Sequence, residues 1–102
     1  MTGYVEVSGP DSLTGLVLVI SGQLVEPVDE LVTLPAPRGC HVVAQYDEVD
    51  ADTWPYLISV ESHGDVSPQV RAIADRLRST GWAFRAFVDD DQLIAESMTD
   101  PD

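Results

Sequence analysis

Asp50, Asp52 and Glu61 occupy positions one, three and twelve of a segment counted from Asp50, the carboxylate spacing of a calcium-binding loop. Such a loop needs glycine at its sixth position for a sharp turn, and Pro55 stands there, preceded by Trp54. Ile58 and Glu61 also fall in an expected strand, so the stretch reads as a solvated acidic loop rather than a metal site. Cys40 and His41 put a thiol beside a base, the ingredients of nucleophilic catalysis. Consecutive strand residues point to opposite faces, so this pair cannot cooperate without a bulge. Cys40, His41 and His63 lack the spacing of a zinc site. There is no Gly-x-Ser-x-Gly, no phosphate loop and no Gly-x-Gly-x-x-Gly. The expectation is a non-enzymatic protein with no catalytic residue, no cofactor and no metal.

Charge is the stronger signal. Eighteen acidic side chains face five arginines and no lysine, a formal charge of −13 on 102 residues. That density keeps the chain in solution and steers cationic partners toward it. It argues against direct binding of nucleic acid or an anionic membrane, both of which need neutralising Lys and Arg. The expected partner is a basic protein, whose phosphate-binding surface carboxylates can occupy. Two acidic stretches are the candidates for this contact: Asp47, Glu48, Asp50 and Asp52 in one, Asp89, Asp90 and Asp91 in the other. Trp54 and Tyr56 flank the first and are expected as its aromatic anchors, since rings supply contact area where acids supply steering. Hairpins on either side of one helix are expected to bring both acidic tips to one end of a sheet. The alternative is an assembly subunit of virion type, whose acidity reflects a high-GC or halophilic host. Its apolar edges, Leu16 to Ile20 and Leu31 to Leu34, would then pair between copies as a homo-oligomer.

The elements that carry these residues follow from punctuation and period. Tyr4 to Val7 reads as a short edge strand ended by Ser8-Gly9-Pro10-Asp11. Leu16 to Ile20 is a branched apolar run between Gly15 and Gly22 and reads as a buried strand, with a reversal at Ser21-Gly22 returning through Gln23 to Glu26. Leu31 to Leu34, Cys40 to Tyr46, Tyr56 to Glu61, Trp82 to Val88 and Leu93 to Ser97 read as further strands. Ser67-Pro68 opens a helix, with the Ser67 hydroxyl as cap. Val70, Ile73, Ala74 and Leu77 form its apolar stripe, and Gly81 sits where a left-handed terminating residue belongs. Arg71, Asp75 and Arg78 share one helical face at i, i+4 and i+7 as a surface ladder, while Arg85 lies between Phe84 and Phe87 with its stem against ring surface.

The expected fold class is α+β: a strand-rich amino-terminal half followed by β-β-α-β-β, mainly antiparallel, with one main helix on one sheet face. The second face is expected to meet the amino-terminal strands or a partner. A single domain over 1–97 with a flexible acidic tail over 98–102 is the expected organisation. The first residues carry no basic or apolar leader pattern and the one cysteine excludes an internal disulfide, so a cytoplasmic location is expected.

Overall fold

A computed structural model describes residues 2–22, 31–34, 36, 38–47, 53–88 and, as backbone, 92–97. The acidic stretches 48–52 and 89–91, the segment 23–30 and the tail 98–102 lie outside the described residues. Strands β1 (Thr2–Ser8), β2 (Leu31–Leu34), β3 (Cys40–Tyr46), β4 (Tyr56–Ser62), β5 (Ala83–Val88) and β6 (Gln92–Ser97) join in one sheet. Its order is β2-β3-β4-β1-β5-β6, and every neighbouring pair is antiparallel. Helices α1 (Leu13–Ser21) and α2 (Ser67–Arg78) complete the chain order. The α+β class and the β-β-α-β-β half are as the sequence predicts.

Three expectations change. The amino-terminal strand is central rather than at an edge: β1 pairs with β4 on one side and β5 on the other. The connection through α2 leaves β4 and β5 running the same way with one strand's width between them, and an antiparallel β1 satisfies both inner edges. Second, Leu16 to Ile20 belongs to helix α1 rather than a strand. Ser12 is extended (φ −157°) and its Oγ accepts from the Gly15 amide at 3.0 Å, a true N-cap. Gly22 closes the helix at φ 73°, its amide donating to the Leu18 carbonyl at 2.8 Å. Leu13, Leu16, Val17 and Ile20 are buried along one stripe, so packing at helical period overrides the strand preference of the branched residues. Third, the first turn of α2 is held from outside it. Val66 occupies the cap position, and the Asp65 carboxylate accepts from the Ser67 amide at 2.9 Å. The Ser67 hydroxyl therefore does not cap the helix.

Both helices pack on the same sheet face, α1 over β2 and β3 and α2 over β1, β5 and β6. Val70, Ile73, Ala74 and Leu77 are buried there as the apolar stripe predicts. Their neighbours include Val5, Val7, Ala44, Ile58, Phe84 and Ala86, in one cluster with no buried polar residue among the described ones. Gly3 makes the approach of α2 possible, since a Cβ there would stand 2.7 Å from a Val70 methyl and 3.0 Å from the Phe87 carbonyl oxygen. Among the described residues, the amino-terminal half thus does not cover the second face. One segment enters the sheet and the next joins the helical layer.

Candidate functional site

Strict alternation decides what the second face carries. With Val5, Val7, Ile58, Phe84 and Ala86 turned toward the helices, Tyr4, Glu6, Leu57, Arg85 and Phe87 must point away, and each is half-buried. Register brings them together: Glu6 lies opposite Leu57 on one side and Arg85 on the other, and Tyr4 lies opposite Ser59 and Phe87. Tyr4 and Phe87 stack with centroids 4.8 Å apart and planes at 23°. Arg85 Nη2 donates to Glu6 Oε1 at 3.1 Å. Its guanidinium carbon lies 4.4 Å from the centroid of Trp54 and 5.7 Å from that of Phe87. The side chains of the ion pair are 35% and 24% exposed, so solvent screening holds the pair near 1 kcal/mol at most. Arg85 Nε is buried with no hydrogen-bond partner among the described residues. The Trp54 ring, worth about 0.5–1 kcal/mol as a cation–π contact, works against that desolvation cost.

Sequence reasoning missed this Glu6–Arg85–Trp54 group. Alternation around Phe84 and Val5 already turned Arg85 and Glu6 outward, but only the register of β1 beside β5 makes them neighbours.

Of the expected anchors, Trp54 is half-buried on this face, while Tyr56 is not at a surface. Tyr56 is 4% exposed, opposite Tyr46 in register, with the two rings 5.2 Å apart on the helix-covered side. Burial pushes its phenol above the ordinary value, and the neighbouring Tyr46 and Asp11 add to the shift. Its ring belongs to the core and cannot supply partner contact area. Asp47 stands at the mouth of the first acidic stretch, its amide donating to the Pro55 carbonyl at 2.7 Å. Glu48, Asp50, Asp52, Asp89, Asp90 and Asp91 lie outside the described residues.

The strand ends that carry the two acidic stretches are at opposite ends of the sheet. Tyr46 and Tyr56 sit level with Val7, whereas Val88 and Gln92 sit level with Gly3. The expected convergence therefore fails, for a topological reason. The first hairpin turns at the start of β4 and the second at the end of β5, and β4 and β5 run parallel.

The cations are segregated too. Arg71, Arg76 and Arg78 are exposed on the outer side of α2, Arg78 pairing with Asp75 at 3.5 Å. Arg38 is in the turn before β3, which leaves Arg85 alone among the arginines on the open face, its charge met by Glu6.

Cys40 and His41 occupy successive positions of a regular β3–β4 pairing, so they point to opposite faces. His41 instead lies opposite Glu61, and with His63 and Thr2 they line a shallow depression of about 340 Å³. Among the described residues no group of three or more His, Cys, Asp and Glu is arranged to hold a metal ion, and no helix is long and apolar enough to cross a membrane.

No protein-family model, no curated protein and no solved structure matches the chain.

Proposed function

We propose that this protein is a small, acidic, non-enzymatic binding module that occupies a basic surface of a partner protein, as an inhibitor, immunity protein or nucleic-acid mimic does. The observation that carries the reading is the charge of −13 together with the placing of three of its five arginines, Arg71, Arg76 and Arg78, on α2. Among the strand residues of the open face Arg85 is the one arginine, and it is paired with Glu6. Asp47, Glu48, Asp50 and Asp52 in the stretch after β3, and Asp89, Asp90 and Asp91 in the stretch after β5, supply the steering charge. Trp54 provides the aromatic contact. The cytoplasm is the proposed compartment, where Cys40 stays a thiol.

The test is association kinetics with a lysine-rich basic protein over a salt series, comparing the wild type with a variant carrying Asn at positions 89, 90 and 91. The on-rate should fall as salt shortens the Debye length below about 8 Å, and the variant should start slower and depend less on salt. On-rates indifferent to salt and to these substitutions would reduce the acidity to host composition.

Assembly through an edge is the second reading, and one observation favours it. Strand β2 is an outer strand whose Leu31 is 42% exposed. Leu16 to Ile20, being helical, cannot contribute to such pairing.

A further inference from the structure

We infer that the groove between the two helices binds a small monocarboxylate with a compact apolar body. The inference is independent of the binding-module reading, which rests on the acidic surface and not on the helical layer. Helix α1 ends at Gly22, and beside its last turn a cavity of about 190 Å³ lies between it and α2.

The floor of this cavity is apolar. Ile20 of α1, Ile73 of α2 and the cross-strand pair Leu34 and Val42 line it. These four keep 5–7% of their surface exposed, whereas Val5, Leu16, Ile58 and Leu77 elsewhere in the same cluster keep none. The core opens to solvent here, and apolar area at the bottom of a concavity gains by being covered. An apolar cavity of roughly 150 Å³ takes up benzene, so this volume suits a ring or branched chain of about six heavy atoms.

The rim is polar. Gln69 and Arg76 stand about two turns apart on α2 with Ala72 between them, and all three line the groove. Neither the Gln69 nor the Arg76 side chain has a hydrogen-bond or ion-pair partner among the described residues. The Ser21 hydroxyl at the same rim donates to the Val17 carbonyl at 2.8 Å. The groove thus offers an amide and a guanidinium as donors, and the planar fork of the guanidinium matches a carboxylate.

Charge sharpens the choice. An anion approaching a chain of −13 needs a local cation, and Arg76 is the one arginine lining this cavity. Inorganic phosphate would leave the apolar floor uncovered, and a neutral hydrocarbon would not use Arg76. A carboxylate on a compact apolar body meets both.

The experiment titrates three probes into the intact protein and follows the methyl resonances of Ile20, Leu34, Val42 and Ile73 by NMR. Benzoate carries ring and charge, benzyl alcohol the ring alone, and acetate the charge alone. Benzoate should shift these methyls saturably and bind at least about tenfold tighter than either other probe. Arg76→Gln should remove that advantage, bringing benzoate to the level of benzyl alcohol, while Arg78→Gln, whose side chain pairs with Asp75, should leave it unchanged. Ala72→Leu puts a larger side chain into the groove from an exposed helical position and should abolish benzoate binding.

No saturable shift at these methyls, or shifts centred on Val43 and Leu57 of the open face, would overturn the inference. Equal affinity for benzoate and benzyl alcohol would remove the carboxylate from it, and equal affinity for benzoate and acetate would remove the cavity; either contradicts it. So would benzoate binding that survives Arg76→Gln or Ala72→Leu undiminished. The three-probe comparison on the wild type decides the matter even if a variant does not fold, and none of these outcomes bears on the association with a basic protein.

Discussion

The two faces of this sheet are built from the same strands by the same alternation, yet they do different work. On the covered face every buried residue among the described ones is hydrophobic, and it meets two helices whose stripes, Leu13 to Ile20 and Val70 to Leu77, follow one period. The open face mixes the rings of Tyr4 and Phe87, Leu57 and Val43 with the Glu6–Arg85 pair and with Thr33, His41, Gln45, Ser59 and Glu61, and none of these side chains is fully buried. Burial of about 25 cal/mol per Å² makes the first face the source of stability. The second keeps half-buried apolar area beside polar side chains, so it contributes less per residue.

Truncations should separate the faces most sharply. Leu77→Ala, at a fully buried position, should cost about 2–5 kcal/mol, whereas Leu57→Ala on the open face should cost less than about 1 kcal/mol. Chemical denaturation of both variants checks this, and equal losses would mean that the open face is covered in the folded protein. Gly22→Ala should cost about 1 kcal/mol, because alanine is disfavoured at φ 73°. A denaturation midpoint unchanged by it would contradict the cap that makes α1 a helix. A double-mutant cycle on Glu6 and Arg85 should give a coupling of about 0.5–1 kcal/mol, shrinking with salt as befits a partly exposed pair.

Two titrations give smaller effects of opposite sense. The Ser67 amide and hydroxyl hold the Asp65 carboxyl below its ordinary value, with Arg71 assisting. Its contribution is therefore complete above the unfolded carboxyl's pKa of 3.8 and lost as pH falls through the folded one. The gap in Tm between wild type and Asp65→Ala should close on acidification below that value. Burial raises the Tyr56 phenol, so its contribution is complete below the unfolded value of 10.0 and lost as pH rises through the folded one. Alkaline destabilisation should be weaker in Tyr56→Phe, read from melting curves above pH 10.

How far these faces were legible before any coordinates depends on whether the signal is local. Helix α2 and strands β3, β4 and β5 carry period, turn residues and breakers within a few positions, and their register follows from two hairpins. The branched run of helix α1 is apolar enough to mask its period, so it reads as a strand. Ser12 and Gly22, nine helical residues apart, carry the decisive information. The divergence of the acidic ends follows once β1 is known to lie between β4 and β5, since two strands antiparallel to the same neighbour are parallel to each other. What could not be read was the partner strand between them. Without knowing that β1 fills the gap, nothing sets Glu6 beside Arg85, or Trp54 over its guanidinium.

The central claim is that the charge of −13 steers a basic partner to this chain, and association kinetics with a lysine-rich basic protein over a salt series test it most directly. The account predicts on-rates that fall as salt rises and that start lower when Asp89, Asp90 and Asp91 are changed to Asn. On-rates unchanged by salt and by these substitutions would contradict it.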